Sequence, residues 1–241
     1  MSTIDFGVFI GRFQPLHIGH EHVIARTLEQ VDRLIVLVGS ANVARDPRNP
    51  FTYAEREAML RSAFRHEVAQ GRLIIAALDD HLYSDTAWTA QVQRTVRALV
   101  LDHGNAHGFR NHGLADFRVA LAGYGKDASS YYLKLFPEWE NLQIDSQYGT
   151  FSSQDVRNRY FQRIPEVPEA ILSPGVVGFL REFALGDTFK ALLEEAEYLA
   201  AYPAQWGPGP FVTADAVVVQ AGHILLVTRG SVPGKGLLAL P

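Results

Sequence analysis

Short apolar runs alternate with segments of helical periodicity over the first half of the chain. The apolar runs have the length of strands that are covered on both faces of a sheet, and they span residues 4–10, 33–39, 73–78 and 117–123. Apolar positions recur with a period of about 3.6 residues in the intervening segments 17–30, 52–68 and 86–101. Strands that alternate with helices predict an α/β fold with a doubly wound parallel sheet and right-handed crossovers.

The second half of the chain predicts further helices and then a change of architecture. Helical patterns cover residues 129–136, 153–161, 174–184 and 188–201. Residues 202–210 contain three prolines and two glycines, which is typical of a linker. Beyond them, residues 211–220 and 223–229 predict a β-hairpin around Ala221 and Gly222. We therefore predict a first domain over residues 1–185, a helix and linker over 186–210, and the start of a second domain over 211–241.

Composition excludes several classes of protein. The 241 residues include no cysteine, so disulfides, a thiol nucleophile and a cysteine-ligated zinc are excluded. The net charge of −4 does not give the basic footprint of a nucleic-acid-binding protein. The N-terminus does not have the pattern of a signal peptide, and no apolar run is long enough to span a membrane. We expect a cytoplasmic protein that binds neither nucleic acid nor membrane, and a homo-oligomer is compatible with the sequence.

The densest chemistry lies in residues 7–22, which read GVFIGRFQPLHIGHEH. A strand ends here and a helix begins, and such turns in parallel sheets open at the edge where ligands bind. His17 and His20 are three residues apart, so both imidazoles project near one face of the first helical turn, and Gly19 leaves room for a ligand. Beside a helix N-terminus they can donate hydrogen bonds to phosphate oxygens. A pair of surface histidines is the alternative interpretation, and the spacing does not fit a metalloprotease zinc site.

Later segments supply further candidates. Trp88 follows the third strand and could stack on a flat ring or fill the core. Ser152 and Ser153 open a helix with Arg157 one turn in, which would present hydroxyl, amide and guanidinium groups to a phosphate. The loop arginines Arg45 and Arg48 could also pair with phosphates, although solvated charges are the ordinary interpretation.

Three strings resemble one known family. GRFQPLHIGH resembles the HxGH signature of the nucleotidyltransferase superfamily and, within it, the nicotinamide mononucleotide (NMN) adenylyltransferases. NPFT followed by ER resembles the second signature of that family, and FSSQDVR resembles its phosphate signature ISSTxIR. This sequence departs from the third signature at Phe151, Gln154 and Val156. Residues 123–137 resemble the subgroup that is fused to a Nudix hydrolase.

The resemblance implies a Rossmann-like nucleotidyltransferase that transfers the adenylyl group of ATP to NMN, forming NAD and pyrophosphate, with Mg²⁺ bound to ATP. It implies catalytic roles for His17, His20 and Arg157. The implied ATP- and phosphate-binding residues are Gly11, Arg12, Phe13, Gly19, Gly123, Lys126, Ser152 and Ser153. The implied NMN-binding residues are Asn49, Thr52, Arg56 and Trp88. No protein ligand for a metal is implied.

Residues 213–241 resemble the first strands of a Nudix domain. The glutamate-bearing Nudix box that would hold Mg²⁺ does not occur in the sequence, since Glu194 and Glu195 lack its Arg-Glu and glycine frame. The resemblance therefore implies a fused ADP-ribose pyrophosphatase in a longer parent protein, and it implies no such hydrolysis by this chain alone.

Two other functions stay open at this point. One is an adenylyl- or cytidylyltransferase that acts on another phosphorylated acceptor, such as phosphopantetheine, although the NPFT string and Trp88 argue against it. The other is a sensor that binds NAD or nucleotides without catalysis, although no basic helix-turn-helix pattern accompanies the motifs.

Overall fold

The computed structural model describes residues 4–105, 117–123, 134–145, 148, 151–207 and 209–241. The strands are β1 (Ile4–Gly11), β2 (Val31–Val38), β3 (Leu73–Ala77), β4 (Val119–Gly123), β5 (Glu140–Gln143), β6 (Val219–Gln220), β7 (His223–Ile224), β8 (Val227–Thr228) and β9 (Leu238–Ala239). The helices are α1 (Ile18–Leu28), α2 (Tyr53–Ala63), α3 (Arg65–Ala69), α4 (Asp85–Asn105), α5 (Ser153–Tyr160), α6 (Pro174–Phe183) and α7 (Asp187–Trp206). A 3-10 turn spans Glu169–Ile171.

The main sheet has five parallel strands in the order β3-β2-β1-β4-β5. Val8 at its centre pairs with Ile35 on one side and with Leu121 on the other. The chain moves outward from β1 to β3 and then returns to the opposite side of β1, so the strand order reverses between β1 and β4. The predicted doubly wound Rossmann-like sheet is confirmed, and ligands bind such sheets at the crevice where the order reverses.

The central strands are buried on both faces, and alternate residues enter different cores. Phe9 and Val36 join one core with side chains of α1, α2 and α6. Val8 and Ile35 join the other core with three valines of α4. Because both faces are covered, the strands read as unbroken apolar runs, which is the pattern that made them predictable.

Three predicted elements differ from the structure. The helix predicted over residues 52–68 is broken at Phe64, whose φ of −122° and ψ of 44° are not helical. Strand β5 was not predicted, because its sequence ENLQ is polar and mostly exposed at the sheet edge. The linker predicted from residue 202 is helical up to Trp206, although Pro203 lies inside the helix. Tyr202 contacts both Tyr198 and Trp206 at ring distances of 5.7 and 6.3 Å, and these aromatic contacts stabilise the last turns of α7.

The beginning of α7 packs on the sheet domain. Phe189 stacks on Phe161 at 5.4 Å between ring centroids and meets Tyr160 edge-on at 5.1 Å. Phe189 and Leu192 are both buried. The domain boundary at residue 185 stays a prediction, and this packing joins the first turns of α7 to the core beside α5.

The predicted C-terminal hairpin forms only in part. β6 and β7 are antiparallel around Ala221 and Gly222, whose φ angles of 48° and 78° suit a tight hairpin turn. Each strand has only two residues, and Val227 pairs with Ala239 of β9 instead of extending the hairpin. The helix predicted over residues 129–136 lies mostly outside the described residues. Among the helices of the described part of the chain, none combines the length and apolar character that a membrane span requires.

Candidate active site

A cleft of about 470 Å³ opens at the carboxyl edge of the sheet, where the strand order reverses. The predicted site residues that line it are Gly11, Arg12, Phe13, His17, His20, Trp88, Gly123, Ser152, Ser153 and Arg157. The predicted residues that do not line it are Gly19, Asn49, Thr52 and Arg56. Lys126 lies outside the described residues. Residues of the first and third signatures therefore line one cleft, whereas Asn49, Thr52 and Arg56 of the second signature do not line it.

The two histidines lie against each other at the start of α1. His17 is the N-cap residue, and its Nδ1 accepts a hydrogen bond from the backbone N–H of Gly19 at 3.1 Å. The ring centroids of His17 and His20 are 3.8 Å apart, and Phe13 meets His20 edge-on at 4.9 Å. Because Nδ1 of His17 is an acceptor, the neutral ring carries its proton on Nε2. The cleft is thus lined by an imidazole whose tautomer is fixed by the backbone.

Gly19 packs directly against the imidazole of His17. A Cβ atom at this position would lie 3.0 Å from Cε1 and 3.1 Å from Nδ1 of His17. These distances are tighter than ordinary van der Waals contacts, so a side chain would displace the imidazole. Gly19 therefore makes room for the His17 ring, and its predicted contact with a ligand stays a prediction.

The beginning of α5 is fixed on the turn between β1 and α1. Arg157 donates a hydrogen bond from Nη1 to the carbonyl of Gln14 at 2.7 Å, and Ser153 donates from Oγ to the carbonyl of Pro15 at 3.1 Å. Ser152 caps the helix: its Oγ accepts from the backbone N–H of Asp155 and donates to that residue's carboxylate. The helix start predicted near residue 153 is confirmed. Burial, with the nearby charge of Arg12, lowers the pKa of Arg157 to about 10, so its guanidinium is charged at neutral pH.

Gln14 holds the same turn from the other side, and sequence reasoning did not assign it to the site. Its buried side-chain amide donates to the carbonyl of Phe51 at 2.9 Å and accepts from the N–H of Phe51 at 3.0 Å. The side chain thus imitates one rung of a β-ladder and joins the first signature to the second. A polar amide in an otherwise apolar turn is the signal that could have indicated this role.

The residues of the second signature make structural contacts at the rim. Thr52 caps α2 in a reciprocal box with Glu55. Asn49 donates its backbone N–H to the carboxylate of Asp46 at 2.6 Å, and its Oδ1 lies 3.5 Å from a guanidinium nitrogen of Arg12. Arg56 is buried and donates to backbone carbonyls. Their predicted contacts with a mononucleotide stay predictions.

Arg45 does not line the cleft. Its guanidinium forms a two-pronged ion pair with Glu55, with nitrogen–oxygen distances of 2.6 and 2.9 Å. Although burial raises the pKa of the Glu55 carboxyl, hydrogen bonds from Arg45 and Thr52 leave it below its ordinary value. Arg45 is therefore already paired within the protein and braces the loop before α2.

Trp88 lies on the first turns of α4 and is half-buried. Its ring is 6.1 Å from that of Phe136, and it packs against the core on the α4 side of the sheet. It also lines the cleft. The two interpretations of Trp88 from the sequence, a stacking surface and a core side chain, are thus compatible.

The cleft favours anions. Arg12, Arg157 and the two imidazoles line it, and Asp80 is the only carboxylate among the described lining residues. The described part of the chain contains no group of three or more His, Asp or Glu side chains that could hold a metal ion. A second cleft of about 760 Å³ adjoins the first and shares Arg12, Gln154 and Arg157 with it. A ligand with several negative charges fits this arrangement best.

Comparisons with known proteins agree with the geometry. Residues 8–105 match the Cytidylyltransferase-like family. The chain is 34% identical over 195 residues to a nicotinamide/nicotinic acid mononucleotide adenylyltransferase of Acinetobacter baylyi, a match that covers 81% of this chain and 95% of the relative. It is 35% identical over 91 residues to a nicotinamide-nucleotide adenylyltransferase of Thermococcus sibiricus, over 37% of this chain and 48% of that protein.

A solved structure is similar over almost the whole chain. It is a bifunctional NMN adenylyltransferase/ADP ribose pyrophosphatase from Francisella tularensis, complexed with AMP and a manganese ion. The two chains superpose with a TM-score of 0.82 at 29% identity, over 99% of this chain and 67% of that one. With the Acinetobacter relative matched over nearly its full length, these similarities place this chain in the family of nicotinamide/nicotinic acid mononucleotide adenylyltransferases.

Proposed function

We propose that this chain transfers the adenylyl group of ATP to NMN, forming NAD and pyrophosphate. The observation that carries the proposal is that one cleft at the sheet's crevice is lined both by Arg157 and by two imidazoles whose ring centroids are 3.8 Å apart. Family membership supports the same reaction, since the matched relatives are named as adenylyltransferases for nicotinamide nucleotides.

The reaction is an in-line displacement at the α-phosphorus of ATP. A phosphate oxygen of NMN forms the new P–O bond while the bond to the bridging oxygen of the β-phosphate breaks. Pyrophosphate leaves with that electron pair, so no covalent enzyme intermediate is needed. The protein then has to position two anions and neutralise the charge that develops between them.

The residues of the cleft divide this work in our proposal. His17 and His20 donate hydrogen bonds to the reacting phosphate, and Arg157, Ser152 and Ser153 hold the β- and γ-phosphates. Gly11, Arg12, Phe13 and Gly123 form the wall that lets the phosphates approach the backbone. Lys126 assists at the triphosphate. Mg²⁺ enters as part of the substrate, bound to triphosphate oxygens and water.

The NMN half of the site is proposed to lie toward α4. Trp88 would stack on the nicotinamide ring, an interaction that typically contributes about 1–3 kcal/mol for a base on an aromatic side chain. Asn49 and Thr52 would reach the mononucleotide only if the loop before α2 moves toward the cleft, since neither lines it. A cytoplasmic location is part of the same proposal.

We also propose that residues 211–241 are the first strands of a Nudix domain. The Francisella structure supports this, since it is described as bifunctional and is matched over 99% of this chain. Hydrolysis of ADP-ribose would then belong to a longer protein that includes the catalytic Nudix helix.

The test replaces His20 by alanine and measures the formation of NAD from ATP and NMN. Removing one preorganised donor to the transition state typically costs about 10²-fold or more in turnover, and we expect a loss of that size. His66→Ala is the matched control, because His66 is exposed on α3 away from the cleft, and it should leave the rate unchanged.

Each outcome of the assay has a meaning. Unchanged turnover of His20→Ala would remove the proposed role of the histidine pair. Activity of the unmodified chain on phosphopantetheine instead of NMN, or with CTP instead of ATP, would change the substrate. Binding of NAD without release of pyrophosphate from ATP would favour a sensor over an enzyme.

A further inference from the structure

Arg56 is a charged side chain that lies under the wall of the cleft rather than in it. It projects from α2 and is only 1% exposed. Nη1 donates to the carbonyls of Arg12 at 2.7 Å and Gly39 at 2.6 Å, and Nη2 donates to the carbonyl of Ser40 at 3.1 Å. Nε donates to the carbonyl of Thr52 at 3.2 Å. Among the described residues, all four hydrogen bonds of this guanidinium end on main-chain carbonyls.

Three of the four carbonyls belong to the wall of the cleft. Arg12 follows the last residue of β1, and Gly39 and Ser40 follow the last residue of β2. All three residues line the cleft. The fork of Arg56 therefore ties together the carboxyl ends of the two neighbouring strands from which the site is built.

The backbone at these strand ends adopts uncommon conformations. Phe13 and Ser40 have φ angles of 51° and 52°, in the left-handed region that residues with a side chain rarely adopt. Such conformations cost free energy and persist when the surrounding structure over-determines them. Arg56 donates to the carbonyl of Arg12, the residue before Phe13, and to the carbonyl of Ser40 itself, so it holds the backbone at both positions.

The guanidinium also carries charge into the protein beneath the site. Burial lowers its pKa to about 10, and the charge of Asp80 opposes that shift. A value of about 10 leaves Arg56 cationic at neutral pH. A buried cation that is compensated by carbonyl dipoles rather than by a carboxylate ion pair keeps the local potential positive for anionic ligands.

We propose that Arg56 is a positioning residue: it fixes the Arg12 and Gly39–Ser40 backbone in the conformation that receives the phosphates, without contacting the substrate. This inference rests on the proposed adenylyl transfer and replaces the direct contact with NMN that the sequence resemblance implies for Arg56.

The test uses Arg56→Lys, which keeps a positive charge but cannot bridge carbonyls on two strands with one planar fork. We expect kcat to fall by about 10-fold to 10²-fold, as for other small misplacements of a reacting group. The matched control is Arg45→Lys. Arg45 is another arginine of this region, but it is only partly buried, pairs with Glu55 and lines no part of the cleft. Its replacement should change kcat less than twofold.

Hydrogen exchange of the full chain gives a readout that does not depend on catalysis. In Arg56→Lys, the amides of residues 11–14 and 39–41 should exchange faster than in the unmodified protein, while those at the centre of β2 keep their protection. Arg45→Lys should leave both sets unchanged. If the unmodified chain makes no NAD, the proposed function fails, and the exchange pattern still decides the role of Arg56.

Several results would overturn the proposal. Retention of kcat within twofold in Arg56→Lys would do so, as would a loss confined to the KM for NMN, which indicates direct contact. Loss of protection spread evenly over the sheet would show a purely structural role. If Arg56→Lys does not fold, the double variant Arg56→Lys/Ser40→Gly replaces it, because glycine adopts the left-handed conformation at residue 40 without strain. The double variant should fold and should show the exchange pattern expected for Arg56→Lys, and failure of either would overturn the proposal.

Discussion

Two regions of this molecule contain runs of aliphatic residues and pack them in opposite ways. In β2, the side chains of Ile35 and Val36 are completely buried between helices on both faces of the sheet. In the C-terminal region, Val219 is 60% exposed and Leu238 is 67% exposed. An apolar run therefore does not by itself determine that a segment becomes core, because that depends on what other parts of the chain lie above and below it.

The difference follows from pairing and coverage. β1 pairs with β2 at seven positions, and helices cover both faces of these strands. The C-terminal strands form two separate pairs of two residues each. Isolated pairs of this size are marginal in water, because they lack an apolar face of their own to bury. The candidate site residues belong to the main sheet and the helices that cover it, where neighbouring elements pack around the side chains.

The largest expected difference between the two regions appears when the same side-chain atoms are removed from each of them. Ile35→Ala should lower the free energy of unfolding by about 2–5 kcal/mol, because the residue is fully buried. Ile224→Ala removes the same side chain where it is 57% exposed, and it should cost about 0.5 kcal/mol or less. Urea unfolding measures both values, and equal losses would show that the C-terminal strands are packed as tightly as the sheet.

Two glycines extend the comparison to the packing around single backbone positions, one beside the cleft and one on α6. Gly19→Ala would place a Cβ atom 3.0 Å from the His17 ring, and we expect activity to fall about 10-fold to 10²-fold with little change in Tm. Gly178 lies within α6 with no atom within 4 Å of its added Cβ, so Gly178→Ala should raise stability by about 0.5–1 kcal/mol. Full activity of Gly19→Ala would mean that the His17 ring position is not critical.

The ion pair at the rim should matter more than one on the surface. Folding holds the pKa of Glu55 below its ordinary value, so its stabilising effect is present above that value and is lost as pH falls through the lower one. Glu55→Gln should cost about 1 kcal/mol or less at pH 7, and the cost should shrink as pH falls below the ordinary pKa of glutamate. The exposed pair of Arg26 and Glu29 provides the control through Glu29→Gln, for which we expect a smaller loss at pH 7. A loss for Glu55→Gln that is independent of pH would contradict this assignment.

The smallest effect concerns alkaline pH. Because burial and Arg12 lower the pKa of Arg157 to about 10, half of its charge is lost near that pH. The KM for ATP should therefore rise about twofold between pH 8 and pH 10. Measurement of Tm at each pH separates this change from unfolding. A KM that is flat over this range would indicate that bound phosphate keeps Arg157 protonated or does not contact it.

The sequence predicted the sheet well and its edge poorly. The first four strands of the main sheet were predictable, because burial on both faces leaves a continuous apolar run for each of them. β5 was not, since one polar strand at an edge resembles a loop. The break at Phe64 was also hidden, because helical periodicity continues across it from α2 into α3.

The site shows the same division between local and distant causes. The histidines, Ser152 and Ser153 were predictable, since their positions follow from a strand end, a helix start and a cap within a few residues of each other. The bonding of Arg56 was not, because its carbonyl partners on the cleft wall lie 16, 17 and 44 residues away along the chain. Motifs indicate which residues share a site, while only the folded chain shows which of them line the cleft.

The side-chain rung between Gln14 and Phe51 has a mechanical consequence. The residue at position 14 must supply both a donor and an acceptor to the backbone of Phe51. An ionised glutamate has no donor, and the side chain of asparagine is too short to reach. Two hydrogen bonds therefore join the turn that precedes α1 to the loop that leads into α2. A movement that separates these two segments must break both hydrogen bonds and leave the buried amide of Gln14 unpaired.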